Sequence, residues 1–172
     1  ADYVTLFQAV TLGATVKETP IGFKHICEQM IKDDVFIGGE ESGGVGMKHH
    51  MMERDGFFCA LLLLEYSAHS GRKLSQMVDD LHNRFGPHHF TREDVHWDKL
   101  TVSREKLYIS LKKKLGQQVA GRKIDHMDDM DGLKVFFDNG DWLLFRFSGT
   151  EPTLRIYAEM SQASNLSGSI QH

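Results

Sequence analysis

The spacing of apolar residues changes several times in the first half of the chain, and each change predicts a new element. Phe23, Ile26 and Met30 recur at helical spacing and predict a helix over 23–30. The short apolar run at 35–37, closed by two glycines, is typical of a buried strand that leads into a loop. The other elements predicted here are a helix tail ending at Gly13, a strand at 15–18, a helix from 56 to about 69 capped by Asp55, and a helix at 74–85.

The pattern in the second half indicates one helix among several strands. Residues 90–97 alternate apolar and polar side chains, as an edge strand does, and Ser103 is a suitable N-cap for the helix that follows. Asp-Asn-Gly-Asp at 138–141 is a strong hairpin signal. The apolar residues of the predicted helix are Leu107, Ile109, Leu111 and Leu115, and the strands after it are 133–137, 142–147 and 154–159.

These elements predict an α/β protein with two domains, 1–86 and 87–172. Alternating strands, loops and helices through residue 85 favour a layered α/β/α domain with a mixed sheet. Only two short strand candidates precede residue 86, so this first domain is predicted to be incomplete. The order of one strand, one helix and three strands favours a small α+β domain. Its predicted form is a four-stranded antiparallel sheet with helices on one face (TBP-like).

The composition is that of a globular protein without a bias towards nucleic acid or membranes. Of 172 residues, 41% are hydrophobic and 26% charged, and the formal net charge is −4. These values exclude disorder and give no general attraction to a polyanion. Cys27 and Cys59 form no CxxC motif, and the longest apolar run, 57–64, is too short to span a bilayer. Since no signal peptide is visible at the start, the chain is predicted to be soluble and cytoplasmic.

Residues 146–155, Arg-Phe-Ser-Gly-Thr-Glu-Pro-Thr-Leu-Arg, are a candidate phosphate site that we call the basic loop. Arg146 ends one predicted strand and Arg155 begins the next, so both guanidinium groups are able to lean over the connection. Two hydroxyl donors and a glycine that lets the backbone approach a ligand lie between them: Ser148, Thr150 and Gly149. A hairpin with two surface arginines and no ligand fits the same pattern equally well.

Residues 38–44, Gly-Gly-Glu-Glu-Ser-Gly-Gly, are a candidate sugar site that we call the acidic loop. They do not form a P-loop, because Val-Gly stands where Lys and Ser or Thr are required. Two glutamates would repel a phosphate, so sugar hydroxyls are the favoured target of Glu40 and Ser42. On local grounds alone, a purely structural acidic turn is favoured. A ligand that satisfies both loops is a sugar phosphate.

No residue set predicts a metal site or a catalytic group. His49, His50 and Glu53 have partial metal-ligand spacing but lack the HExxH motif. The acidic run at 125–132 is similar to a calcium loop, but Met127 stands where the first ligand is needed. We interpret this run as a solvated turn before a strand.

Four short sequences, in this order, resemble the phosphoglucomutase/phosphomannomutase family of α-D-phosphohexomutases. Residues 19–24 resemble the threonine/glycine loop of the family's third domain, and 39–44 resemble its sugar-recognition loop. Residues 53–56 resemble the helix start that follows, and the basic loop resembles the phosphate loop of the fourth domain. The likeness runs through nearly the whole chain and implies the C-terminal part of such an enzyme, a partial third domain plus the fourth.

The resemblance implies a role for each matched residue. Glu40 and Ser42 would contact sugar hydroxyls, and Thr19, Gly22 and Lys24 would lie beside the sugar. The non-reacting phosphate would be held by Arg146, Ser148, Gly149, Thr150 and Arg155. The family reaction moves phosphate between C1 and C6 of a hexose through a bisphosphorylated intermediate, and the last domain is expected to close over the ligand.

The family's phosphoserine loop and its Asp-x-Asp-x-Asp magnesium loop have no match in this sequence. The resemblance therefore implies a substrate-recognition portion that is inactive alone, from an enzyme that uses magnesium and a hexose 1,6-bisphosphate activator. Within this resemblance, Gly44 and the sequence at 54–56 imply glucose or mannose phosphates as substrates. An alternative is a stand-alone, non-catalytic sugar-phosphate binding module.

Two further expectations concern the assembled molecule. The acidic and basic loops are expected to face each other across a cleft, so that opposite ends of one ligand meet matching partners. The incomplete first domain is expected to self-associate through an unpaired strand edge and exposed apolar faces.

Overall fold

The computed structural model describes residues 13–40, 42–96, 102–148 and 151–162. The chain divides into two compact units, Ala1–Gly86 and Pro87–His172. The predicted helix tail before Gly13 lies outside the described residues. None of the described helices combines the length and hydropathy that a membrane crossing requires.

The first unit contains a small core built on helix α1, Phe23–Lys32. Phe23, Ile26 and Met30 are buried together, with Cys27 and Val35 packed against them. This confirms the predicted helix and the face that it buries. Burial raises the pKa of the Cys27 thiol, which favours its neutral form beside this core.

Two short strands follow α1 and pair antiparallel: β1, Ile37–Gly39, and β2, Val45–Met47. The strand predicted at 35–37 begins two residues later than expected, and β2 was not predicted because its alternation is only three residues long. The strand predicted at 15–18 is wrong, since these residues are irregular. A strand needs a partner, and 15–18 pair with none of the described strands.

Two further helices are described in the first unit: α2, Gly56–Ser70, and α3, Leu74–Phe85. The Asp55 side chain caps α2 by accepting a hydrogen bond from the Phe58 N–H, and Gly71 ends it at a φ of 66°. A hydrogen bond with His50 and the cap itself hold the pKa of Asp55 below its usual range. The predicted bounds of both helices are confirmed because caps and glycine stops are local signals.

The second unit is an antiparallel sheet with the strand order β3-β8-β7-β6-β5-β4. The strands are β3 His89–His96, β4 Gln118–Val119, β5 Arg122–Asp128, β6 Leu133–Phe137, β7 Trp142–Phe147 and β8 Thr153–Met160. Helix α4, Arg104–Leu115, lies between β3 and β4 in the chain and is capped by Ser103 as predicted.

Helix α4 covers one face of this sheet. Its Tyr108, Leu111 and Leu115 pack against a core of strand residues. The fully or nearly buried members of that core include Leu133, Val135, Phe137, Leu143, Phe145, Ile156, Ala158 and Met160. Alternate residues of β7 and β8 therefore point to the opposite face, where the charged side chains of the candidate site lie.

The fold class is confirmed: a mixed α/β unit precedes a small antiparallel α+β unit. The strand count differs, because the described sheet has six strands where four were predicted. The interpretation of 125–132 as a turn before a strand is confirmed for 129–132, which precede β6, and wrong for 125–128, since Asp125 and Asp128 lie in β5. Pairing with β6 stabilises this strand despite the low strand preference of Asp.

Candidate functional site

The acidic loop connects β1 to β2 as a tight turn. The Glu40 N–H donates to the Gly44 carbonyl at 2.9 Å, and the Gly43 N–H donates to the Glu40 carbonyl at 3.0 Å. Gly43 has a φ of 89°, which favours glycine. Glu40 and Ser42 are therefore presented from a closed hairpin turn, while residue 41 lies outside the described residues.

Glu40 and Ser42 lie together in this turn, and Arg54 joins them. The Ser42 hydroxyl and the Arg54 Nη1 group each donate to Glu40 Oε1 at 2.8 Å. The Glu40 side chain is only 12% exposed, so its charge is held by these two donors in a partly desolvated position.

The other three predicted sugar contacts lie around the start of α1. Gly22 is the N-cap of this helix, and Lys24 is exposed in its first turn. Thr19 is half-buried in the irregular segment that precedes the helix. The link to the acidic loop is the Phe23 ring, whose centroid lies 5.6 Å from the guanidinium carbon of Arg54.

In the second unit, Arg146 of β7 and Arg155 of β8 are direct cross-strand partners. Their side chains therefore leave the same face of the sheet, the one opposite α4. Two like charges at such positions destabilise a sheet unless other charges compensate them. This pair is the most informative electrostatic feature of the basic loop.

A carboxylate lies beside each of the two arginines at its Nε edge. Arg146 Nε is 3.2 Å from Asp131 Oδ2, and Arg155 Nε is 3.9 Å from Asp94 Oδ2. Arg92 forms a two-pronged hydrogen bond to Asp94, at 2.7 and 2.6 Å, which holds the pKa of Asp94 below its usual range. Among the described residues of this cluster, three guanidinium groups thus lie against two carboxylates.

The ends of the basic loop are tied together by hydrogen bonds. The Ser148 N–H donates to the Thr153 carbonyl at 2.8 Å, and the Glu151 N–H donates to the Ser148 hydroxyl oxygen at 3.3 Å. Ser148 and Thr153 are buried at this closure. Gly149 and Thr150, the two other predicted phosphate contacts, lie outside the described residues.

The sequence pattern did not predict the contacts that Arg54, Asp94 and Asp131 make at the candidate sites. Asp131 appeared as part of an acidic turn, and only the β6–β7 register brings it beside Arg146. Arg54 lies 14 residues from Glu40, and no spacing rule connects them. Among the described residues, no group of three or more His, Cys, Asp or Glu side chains is arranged to hold a metal ion.

Two family models match the chain. The model for phosphoglucomutase/phosphomannomutase, alpha/beta/alpha domain III, matches residues 7–85, and the model for the C-terminal domain of the same proteins matches residues 101–167. The chain belongs to the phosphoglucomutase/phosphomannomutase family. This confirms the resemblance inferred from the four short sequences.

Individual relatives support the same conclusion. The chain is 34% identical over 150 residues to a phosphoglucomutase/phosphomannomutase of Thermococcus kodakarensis, matching 86% of this chain. It is 30% identical over 153 residues to a phosphoglucosamine mutase of Carboxydothermus hydrogenoformans, matching 88% of this chain. A crystal structure of a protein assigned as a phosphomannomutase from Thermus thermophilus superposes with a TM-score of 0.77 and 32% identity.

The chain matches only part of each relative. It spans 29% of the Thermococcus and Carboxydothermus proteins. The superposition with the Thermus protein covers 99% of this chain and 33% of that one. The activity and substrates of the whole protein are therefore matters for proposal.

Proposed function

We propose that this chain is the substrate-recognition part of a phosphohexomutase that interconverts hexose 1-phosphate and hexose 6-phosphate. The observation that carries the proposal is the cross-strand pair Arg146 and Arg155 at the start and end of the basic loop. A phosphate dianion bound by both guanidinium groups offsets the repulsion between them and accepts several charge-assisted hydrogen bonds.

The neighbouring carboxylates orient these arginines for a ligand. Asp131 meets Arg146 at Nε, which leaves the two terminal Nη groups of that side chain to form a fork for phosphate oxygens. Nε of Arg155 is buried and has no hydrogen-bond partner among the described residues. We assign phosphate binding to Arg146, Ser148, Gly149, Thr150 and Arg155.

The acidic loop supplies the second half of the recognition. Glu40 and Ser42 offer carboxylate and hydroxyl oxygens, which suit the hydroxyl groups of glucose or mannose better than an anion. Thr19, Gly22 and Lys24 are assigned to the surroundings of the sugar. Magnesium and a hexose 1,6-bisphosphate activator are proposed for the whole enzyme, and the chain alone is proposed to bind without turnover.

The binding proposal is tested by an NMR titration of the ¹⁵N-labelled chain. Glucose 6-phosphate, inorganic phosphate and methyl glucoside are added separately at equal ionic strength. Because the two ligand ends are assigned to different loops, phosphate is expected to shift signals at 146–148 and 151–155. Glucose 6-phosphate is expected to shift these and also the signals of Glu40 and Ser42.

Sodium sulfate at the same ionic strength is the control for a general anion effect. Equal shifts from sulfate and from glucose 6-phosphate would contradict specific sugar-phosphate recognition. A coupled assay of the same sample with glucose 1-phosphate tests the proposal that the chain alone binds its ligand without turnover. Measurable formation of glucose 6-phosphate by the chain alone would contradict the proposed lack of turnover.

We also propose that the chain self-associates through α2. Phe57, Leu61 and Leu64 are 88%, 62% and 64% exposed, and they follow one another at helical spacing along one stripe. Exposed apolar stripes of this kind favour association. Sedimentation velocity is expected to show concentration-dependent oligomers that the double substitution Leu61→Glu with Leu64→Glu removes. A monomer at every concentration tested would contradict this expectation.

A further inference from the structure

We infer that Arg54 is the positioning residue for Glu40 and that Gly44 provides the space in which the two side chains meet. The role of this pair in substrate binding rests on the function proposed above. The pair itself rests on the geometry of the first unit.

Both donors to Glu40 converge on a single oxygen. Ser42 Oγ and Arg54 Nη1 each lie 2.8 Å from Oε1. None of the described residues donates a hydrogen bond to Oε2. A carboxylate held through one oxygen keeps its second oxygen in a fixed direction, where it is able to accept hydrogen bonds from hydroxyl groups.

Arg54 is itself held in place, although 55% of its side chain is exposed. Its guanidinium lies over the buried Phe23 ring at 5.6 Å, a cation–π distance. Its Nε is 3.7 Å from Glu53 Oε1. The backbone beside it is fixed as well, because the next residue, Asp55, caps α2 and donates its N–H to the Val45 carbonyl at 3.1 Å.

The glycines of β2 and of the acidic loop leave room for this arrangement. A Cβ atom at Gly44 would lie 3.0 Å from Glu40 Oε1 and 3.2 Å from Arg54 Cδ, so a side chain there would displace these two side chains by a few tenths of an ångström. A Cβ atom at Gly46 would lie 3.0 Å from Cζ of Phe23, the ring below Arg54. The same Cβ atom would lie 2.8 Å from the Glu53 carbonyl oxygen, so a side chain at 46 would require a backbone shift. Phe23, Arg54 and Glu40 are thus packed closely against these two glycines.

This packing assigns a specificity role to the combination of Gly44 and Arg54. Arg54 fixes the direction in which Glu40 accepts hydrogen bonds from hydroxyl groups. A larger residue at position 44 would change that direction. Arg54 does not contact the phosphate in this scheme. Its loss should therefore weaken recognition of the hexose while leaving recognition of phosphate unchanged.

The experiment compares Arg54→Gln, Arg54→Lys and Gly44→Ala with the unsubstituted chain. Arg84→Gln is the matched control, because Arg84 also lies over an aromatic ring, Phe85 at 5.1 Å, and the charge change is the same. The first measurement needs no ligand: the ¹³C signal of the Glu40 side-chain carboxylate. The chemical shift of this signal is expected to change in Arg54→Gln and Gly44→Ala, to change less in Arg54→Lys, and to remain the same in Arg84→Gln.

The second measurement is the Kd for glucose 6-phosphate and for inorganic phosphate. Loss of a hydrogen bond to a charged group predicts about a tenfold weaker hexose phosphate complex in Arg54→Gln, with inorganic phosphate unchanged. The lysine variant should recover part of the loss.

The two measurements separate the possible failures. An unmoved Glu40 carboxylate signal in Arg54→Gln overturns the positioning role, whatever the affinities. A moved signal with an unchanged Kd for glucose 6-phosphate overturns the role in recognition. If the unsubstituted chain binds glucose 6-phosphate no better than inorganic phosphate, the proposed function fails, while the carboxylate signal still decides the positioning role.

Discussion

Replacing Arg146 with alanine is expected to weaken binding of hexose phosphates and of inorganic phosphate by about 10- to 100-fold, as follows from the loss of charge-assisted hydrogen bonds. Asp131 lies 3.2 Å from Arg146, whereas Asp94 lies 3.9 Å from Arg155, so Arg146 is the more firmly oriented of the two arginines. Arg146 also lies near the end of β7, the strand that leads into the basic loop. Titration calorimetry of the chain measures the effect, and the KM for hexose 1-phosphate measures it in a complete enzyme.

Two variants make this prediction specific. Lys113→Ala removes one positive charge from the exposed end of α4 and should leave both affinities unchanged. Arg146→Lys keeps the charge but lacks the planar fork, so it should give an intermediate loss. The loss of a charged hydrogen bond should weaken phosphate binding by much more than about twofold. If Arg146→Ala binds phosphate within about twofold of the original affinity, Arg146 does not belong to the phosphate site.

The largest loss of stability is expected from Asp141→Ala. This carboxylate is 4% exposed at the end of the β6–β7 hairpin. It pairs with Arg122 and accepts the Ser161 N–H at 2.7 Å. Breaking a buried ion pair leaves an uncompensated charge, so the free energy of unfolding of the second unit should fall by about 3–5 kcal/mol. Urea titration followed by Trp142 fluorescence measures it.

Asp138→Ala is the matched control, because Asp138 lies in the same turn but is exposed. It removes the same charge and should change the unfolding free energy little. If both variants lose the same amount, the stability of the hairpin does not depend on the buried pair.

Asp141 also predicts how stability depends on pH. Burial by itself would raise the pKa of this carboxyl, but hydrogen bonds from Arg122, Asn139 and Ser161 outweigh burial and lower it. A carboxyl with a depressed pKa in the folded state stabilises the fold above its unfolded pKa, about 3.9. That contribution is lost as the pH falls through the folded value. Asp141→Asn should therefore flatten the acid limb of the stability curve below about pH 4.

Part of the candidate site could be predicted from residue patterns in the sequence. The acidic and basic loops, with Glu40, Ser42, Arg146 and Arg155, were found as candidates because their composition is unusual and their glycines mark turns. The carboxylates that orient the arginines could not be found in this way. Asp94 becomes a neighbour of Arg155 only through the β3–β8 register, since the two residues are far apart in the chain.

The sequence by itself determined the features that depend on contacts within a few residues. Asp55 and Gly71 bound α2, Ser103 starts α4, and the turn at 138–141 joins β6 to β7. Caps, glycine stops and tight turns need only the local backbone, so their sequence signals are sufficient.

Only the tertiary structure decided the features that depend on a partner far away in the chain. Strand β5 forms despite its aspartates because β6 pairs with it. The strand predicted at 15–18 does not form, because none of the described strands pairs with it. Arg54 meets Glu40 because the β1–β2 hairpin and the start of α2 bring them together. Strand pairing and ion pairs depend on register and on the distance between elements, which residue spacing along the chain does not contain.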